Sequence, residues 1–178
     1  EYTMYALNIQ GLDTLHVKSG GYGHADSGSI VVNNVILEQG TSFTQSKNTD
    51  LVTNMVTKEA AAVRLNGGTL GGSWKQEGSS SINVSGDAYL NSRLTQNGHQ
   101  LTQTGSGTLH IGADSAAVLQ NYKISSGTLR YDSGAMSEGN GTLEVAGGTL
   151  HVQNGAGLEA SLIKVSGGKL QVDSGASL

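Results

Sequence analysis

The five histidines are the residues of this chain with the clearest potential for metal chemistry. His110 and His151 each follow Thr-Leu in a repeated sequence, whereas the zinc-binding spacing His-Glu-x-x-His does not occur. If successive copies form successive coils, these two histidines lie two coils apart, about 10 Å at about 4.8 Å per strand, too far to share one ion. We therefore interpret the histidines as solvated surface residues, and we predict no metal and no other cofactor.

Two aspartates recur in the same manner as the histidines. Asp132 and Asp173 occupy corresponding positions, with Gln153 between them. Aligned carboxylates can bind calcium, but the calcium-binding nonapeptide Gly-Gly-x-Gly-x-Asp is absent. Because aspartate also favours turns, we interpret this pair as turn-forming residues.

One serine lies in a sequence with possible nucleophilic chemistry. The segment from Ala25 to Ser29 is similar to the Gly-Asp-Ser-Gly sequence around the nucleophile of chymotrypsin-like proteases, with alanine in place of the first glycine. That chemistry needs a histidine base and an aspartate, held by a two-barrel domain of far more residues. Only His16 and His24 precede Ser27. We interpret the segment as a corner between strands, and we predict that the chain is not an enzyme.

The single tryptophan is a candidate for sugar contact. Trp74 is followed by Lys75, Gln76 and Glu77, and these side chains together could form a platform for a saccharide. Polysaccharide-cleaving β-helices cluster charged residues in a cleft between long loops, whereas charged residues make up only 13% of this chain. The alternative is that Trp74 covers part of the apolar core, because large aromatic rings bury much surface.

The elements that position these residues come from one repeated phrase. It contains leucines in steps of 20, 21 and 20 residues, at Leu109, Leu129, Leu150 and Leu170. Each leucine begins an apolar-x-apolar pair, and a second pair follows, as at Leu143/Val145. Period-two alternation predicts strands, and the fixed period predicts stacked coils. With a third, weaker apolar stretch, each coil of about 20 residues holds about three short strands, which predicts an all-β, single-stranded parallel β-helix.

The repeat also predicts which residues face inward and which face outward. The leucines should stack into an inner ladder, and the residues that follow them should form a polar outer column: His110, Arg130, His151 and Gln171. A second outer column combines opposite charges on adjacent coils: Lys123, Glu144 and Lys164.

The organisation before residue 79 is less regular. We interpret residues 1–178 as a single β-helix domain, with regular repeats at 79–178 and irregular coils at 1–78. The stretch from Thr49 to Val63 lacks glycine and predicts a short helix or an excursion from a corner. The pair Ile82/Val84 resembles the first apolar-x-apolar pair of a coil. It lies 27 residues before Leu109 rather than about 20, which predicts a longer loop in that coil.

Composition excludes some classes of function. Formal net charge is −4, which does not fit the basic surface that nucleic acid requires. No apolar run approaches the eighteen residues of a membrane helix. Cysteine is absent, which fits either a cytosolic protein or a secreted protein that crosses membranes unfolded. Aromatic residues make up only 4%, so the core must come from Leu, Ile, Val and Ala.

The sequence from Gly147 to Ala156, Gly-Gly-Thr-Leu-His-Val-Gln-Asn-Gly-Ala, resembles the repeats of AIDA-like and antigen-43-like adhesins, the passenger regions of bacterial autotransporters. The resemblance is good over roughly residues 79–178 and partial before them. It implies a right-handed β-helix on the surface of a Gram-negative bacterium, or secreted from it. The complete protein would carry a signal peptide and a C-terminal outer-membrane barrel, so we expect this chain to be a fragment of a longer passenger. Filamentous-haemagglutinin-type exoproteins, which use two-partner secretion, have similar repeat lengths.

The function we expect is adhesion through lateral contacts between solenoids, leading to bacterial aggregation, biofilm formation or attachment to a host. The partner would be the same protein on a neighbouring cell, or a host surface protein or glycan. Two alternatives stay open: a β-helix that binds or cleaves polysaccharide, and a passive stalk that presents another domain. The candidate surface residues are Thr128, Arg130, Thr149, His151, Lys169 and Gln171, together with Trp74.

Overall fold

The computed structural model describes residues 10–19, 21–25, 28–47 and 49–178, and it confirms a parallel β-solenoid. Strands that alternate along the chain belong to two different sheets, one of nine strands and one of eight, so the chain winds about eight times. All strand pairs are parallel and join one coil to the next. No helix long and apolar enough to span a membrane is found in the described part of the chain.

The two sheets divide the strands by odd and even number. The first sheet contains β1 (Gln10–Val17), β3 (Gly28–Leu37), β5 (Thr49–Thr57), β7 (Gly68–Gln76), β9 (Asp87–Thr95), β11 (Thr108–Ile111), β13 (Thr128–Tyr131), β15 (Thr149–Val152) and β17 (Lys169–Val172). The second sheet contains β2 (Tyr22–Ala25), β4 (Ser42–Gln45), β6 (Ala62–Leu65), β8 (Ser80–Val84), β10 (Leu101–Thr104), β12 (Asn121–Ile124), β14 (Met136–Val145) and β16 (Gly157–Val165).

The register of the C-terminal coils agrees with the repeat. Leu109 pairs with Leu129, and the same ladder continues through Leu150 to Leu170. The first three leucines are fully buried. Apolar side chains of the same kind therefore stack along the interior, where burial contributes about 25 cal/mol per Å² of apolar surface.

The prediction of a helix or excursion between Thr49 and Val63 is wrong. This stretch forms β5 and the start of β6, joined by a short turn. Side chains in β5 alternate between inside and outside, but threonine occupies several inward positions, such as Thr53 and Thr57. The polar interior side chains hid the period-two pattern that identifies a strand.

The step from strand to strand is regular from Asp50 onward, whereas the earlier pairs β1–β3 and β3–β5 contain register shifts. Asp50, Thr69, Tyr89 and His110 are successive partners in the first sheet, in steps of 19, 20 and 21 residues. Ile82 lies in the second sheet opposite Val63, so the interpretation of Ile82/Val84 as a first pair is also wrong. The true first-sheet strand of that coil begins at Asp87, and no longer loop is present.

Each coil contains two strands rather than the three predicted. In the N-terminal half, the first apolar pair of each coil and the weaker apolar stretch that follows it form one long strand, as in Gly68–Gln76. In the C-terminal half, the weak stretch joins the second pair instead, as in Met136–Val145. The third corner is a bend within a strand, and in β7 it contains Gly72, whose φ is +92°.

Buried amides supplement the apolar core at the corners. The Gln103 side chain donates to the carbonyl of Thr128 at 2.9 Å and accepts from the Tyr122 hydroxyl at 2.8 Å. Asn140 accepts from the Leu119 amide at 2.8 Å and donates to the Glu159 carbonyl at 2.9 Å. These side chains satisfy backbone groups where the strand ladder is interrupted, because an unpaired buried polar group is costly.

The turn after β5 contains a strained alanine that gives a stability prediction. Ala60 has a φ of 58°, whereas Gly40 holds the corresponding position one coil earlier with a φ of 69°. A left-handed conformation costs a non-glycine residue about 1–2 kcal/mol. Replacing the alanine by glycine removes this strain, but the greater freedom of glycine in the unfolded chain offsets part of the gain in stability. We expect Ala60→Gly to raise the free energy of unfolding by about 0.5–1 kcal/mol in urea titrations. Ala113, an exposed turn residue without a positive φ, is the control: Ala113→Gly should lower stability.

Candidate interaction surface

Six of the seven residues predicted for the interaction surface lie together on the outer face of the first sheet. Thr128 pairs with Thr149 and Thr149 with Lys169, while Arg130 pairs with His151 and His151 with Gln171. We call these six residues the polar face: Thr128, Arg130, Thr149, His151, Lys169 and Gln171. Lys169 is exposed and the other five are half-buried. That they bind a partner stays a prediction.

Side chains of the polar face are linked across coils. The His151 Nε2 atom lies 3.0 Å from the Asp173 carboxylate and 3.2 Å from Gln171 Nε2. Lys169 Nζ donates to Gln171 Oε1 at 2.8 Å. Hydrogen bonds from His151 first, and from Gln171 second, hold the pKa of Asp173 below its usual value. These contacts restrain long side chains, so less rotamer freedom remains to be lost on binding.

His110 is not a solvated surface residue, so that expectation is wrong. Although it lies in the outer column, it is only 3% exposed. The Tyr89 ring, one coil earlier, stacks on the imidazole with centroids 4.6 Å apart. One coil later, Arg130 Nη2 lies 2.9 Å from His110 Nδ1, and Arg130 Nε donates to Asp132 at 2.7 Å. Large side chains on both adjacent coils therefore cover the histidine.

A histidine–carboxylate contact recurs at a separation of 22 residues. His110 Nδ1 lies 3.1 Å from the Asp132 carboxylate, and His151 Nε2 lies 3.1 Å from the Asp173 carboxylate. The backbone carbonyls of both aspartates also accept turn hydrogen bonds from alanine amides, so their turn-forming role is confirmed. The separation corresponds to one coil of 20 residues plus two positions along the strand, a signal that was present in the sequence.

The predicted column of alternating charges is confirmed on the second sheet. Glu144 lies between Lys123 and Lys164, at 3.7 Å and 3.4 Å. A hydrogen bond from Ser166, followed by the attraction of the two lysines, lowers the pKa of Glu144. Because these groups are solvated, the column favours correct register more than it adds stability.

Trp74 does not belong to the surface, which corrects its place among the candidate residues. It is 1% exposed, and its Nε1 donates to Thr57 Oγ1 at 2.9 Å. Within β7 it occupies an inward position, between Met55 and Leu94 on the adjacent coils. The interpretation that Trp74 covers the core is therefore confirmed, because strand alternation turns the indole inward.

The remaining chemical candidates are not brought together into a site. Within residues 10–19, 21–25, 28–47 and 49–178, no three histidines or carboxylates form a group that could hold a metal ion. Asp26 and Ser27, from the protease-like segment, lie outside the described residues. Comparison of the chain with protein-family models, with curated proteins and with solved structures found no match. The functional argument therefore rests on the outer faces of the solenoid.

Proposed function

We propose that this chain is part of a cell-surface adhesin of a Gram-negative bacterium, a passenger segment of the autotransporter type that associates laterally with other copies. The polar face carries this proposal. It presents hydrogen-bonding side chains at equal spacing on three consecutive coils, with little apolar surface between them.

The spacing of the polar face explains how weak contacts would give firm adhesion. Successive coils present equivalent side chains about 4.8 Å apart, so two solenoids can align along many coils at once. Each exposed hydrogen bond contributes little, but linked sites raise the effective concentration of the next contact. Chains on neighbouring cells would therefore adhere in proportion to the length of solenoid that they align.

The autotransporter assignment is supported by two features of the sequence. The segment Gly147–Ala156 resembles adhesin repeats. Its strand pairs in parallel with the strand of the adjacent coil, as expected for the β-helix that those repeats imply. The absence of cysteine fits a chain that crosses membranes unfolded, because no disulfide can close early.

The self-association can be tested on the purified chain by sedimentation velocity over a wide concentration range. We expect concentration-dependent dimers in the wild type and their loss in the Thr128→Arg/Thr149→Arg variant, because like charges would meet across the interface. Thr102→Arg, on the outer face of the second sheet, is the matched control and should still associate. The proposal is wrong if the purified wild-type chain stays monomeric and bacteria that display the protein do not clump. That result would identify the chain as a passive stalk.

A further inference from the structure

The dipeptide Asn-Gly recurs along this chain, beginning at Asn66, Asn97, Asn140 and Asn154. In this dipeptide the backbone nitrogen of the glycine can attack the side-chain carbonyl carbon of the asparagine, and glycine leaves the nitrogen unobstructed because it has no side chain. Asparagine is one of the thermally labile residues of proteins. Because all four copies share the same two residues, a large difference in reactivity between them has to come from the fold.

The fold immobilises the copy at Asn140. This residue is 1% exposed, its Nδ2 donates to the Glu159 carbonyl at 2.9 Å, and its Oδ1 accepts from the Leu119 amide at 2.8 Å. The backbone nitrogen of Gly141 donates to the Leu119 carbonyl at 2.9 Å. Ring closure would break these bonds inside the core, so both reacting atoms are protected.

Two other copies are restrained by their neighbours on adjacent coils. In Asn154-Gly155 the glycine amide donates to the Gly175 carbonyl at 3.2 Å, so the attacking nitrogen is already bonded. In Asn66-Gly67 the glycine is buried, and its Cβ position lies 2.9 Å from the carbonyl oxygen of Lys47. Close backbone packing of this kind leaves little room for the rotation that ring closure needs.

The copy at Asn97 lies in an exposed turn between β9 and β10. Asn97 and Gly98 both have positive φ, 50° and 81°, and the space around the Cβ position of Gly98 is open. The Gly98 amide donates no hydrogen bond to any described residue. The Asn97 side chain is held by one long hydrogen bond, from Nδ2 to the Gln76 carbonyl at 3.3 Å. The two reacting atoms are therefore solvated and nearly free to approach each other.

We propose that Asn97 is a site of spontaneous covalent modification, at which the folded chain deamidates through a cyclic imide. The Gly98 nitrogen forms a bond to Cγ of Asn97, the bond from Cγ to Nδ2 breaks, and ammonia leaves with the proton of the Gly98 nitrogen. Water then adds across either carbon–nitrogen bond of the ring, which gives aspartate or isoaspartate. Both products replace the amide donor by a carboxylate that faces the Gln76 carbonyl.

The modified turn adjoins a buried amide that joins three coils. Gln96 directly precedes Asn97, its Nε2 donates to the Asn121 carbonyl at 2.9 Å, and its Oε1 accepts from the Gln120 amide at 2.6 Å. Isoaspartate lengthens the backbone beside this residue, so the modification alters a corner of the solenoid. Asn97 is not part of the polar face, so the reaction does not depend on self-association.

Incubation of the folded chain in mildly alkaline buffer, followed by proteolysis and mass spectrometry, measures conversion at all four copies in one sample. We expect Asn97 to convert at least about tenfold faster than Asn140, because its ring closure breaks only one weak hydrogen bond. In concentrated urea the four copies should convert within about threefold of one another, since unfolding removes the restraints. The urea sample is the control for effects of the neighbouring sequence.

A substitution tests the assignment of the attacking nitrogen. Gly98→Ala places a methyl group beside this nitrogen and should slow the conversion of Asn97 about tenfold or more. Gly40→Ala is the matched control, because Gly40 also has a positive φ and open space around its Cβ position but follows a glutamine. The proposal is overturned if folded Asn97 converts no faster than Asn140, if urea leaves the ratio of the two rates unchanged, or if Gly98→Ala reacts like the wild type.

Discussion

Gly68→Ala is expected to lower the free energy of unfolding by about 2–5 kcal/mol, one of the two largest effects among these substitutions. Gly68 begins β7 with a φ of +74°, where an alanine is strained by about 1–2 kcal/mol. The added Cβ would also overlap the Thr49 carbonyl oxygen on the preceding coil. Because adjacent coils are fixed by their ladder, the backbone cannot move away without losing strand pairing. Urea denaturation followed by circular dichroism measures the change.

Substitutions at two other glycines distinguish the backbone strain at positive φ from the overlap of the added Cβ with the adjacent coil. Gly139 has a similar φ of +73° but open space around its Cβ position, so Gly139→Ala should cost only about 1–2 kcal/mol. Gly112 has open space and no positive φ, so Gly112→Ala should change stability by less than about 0.5 kcal/mol. If Gly68→Ala costs no more than Gly139→Ala, close packing between coils does not restrict this corner.

Trp74→Ala is expected to cost about 3–5 kcal/mol, because it removes the largest side chain of the core. The truncation would leave a cavity between Met55 and Leu94, and the Thr57 hydroxyl would lose its indole donor. Trp74→Phe keeps a ring in the space and should cost less. Thermal and urea unfolding of the three proteins measure the difference.

The same tryptophan gives an independent check of its position. It is the single tryptophan of the chain, so native fluorescence reports on it alone. We expect blue-shifted emission and weak quenching by acrylamide, since the indole is buried. Strong quenching, together with a cost below about 0.5 kcal/mol for Trp74→Ala, would place the residue on the surface.

The sequence predicted the C-terminal coils well because side-chain chemistry and strand period coincide there. Leu109, Leu129 and Leu150 repeat at the length of one coil, so periodicity alone gave the ladder and the adjacent polar column. The N-terminal coils were misinterpreted because Thr53, Thr57 and Gln76 occupy inward positions. Thr57 accepts a hydrogen bond from Trp74 and the Gln76 amide donates to Ser80, whereas Thr53 Oγ1 has no partner among the described residues. No pattern of hydrophobic residues shows which polar side chains are accommodated inside in this way.

For the candidate surface too, residue spacing predicted some features and not others. Spacing identified Arg130, His151 and Gln171 as neighbours, since residues one coil apart must align. Spacing did not show that His110 would be covered, because its burial depends on the sizes of Tyr89 and Arg130 on the two adjacent coils. It also left open whether Trp74 faced in or out until the register of β7 was known.

The sequence by itself determined the architecture of this protein: a repeat of about 20 residues, with period-two alternation, has to bury its apolar side chains by stacking coil on coil. The tertiary structure alone decided where each coil bends and which outer side chains are covered. It also decided that the Tyr89 ring stacks on His110 of the following coil. These features arise from contacts between residues about 20 positions apart, and their energies depend on side-chain size and exact register rather than on residue type.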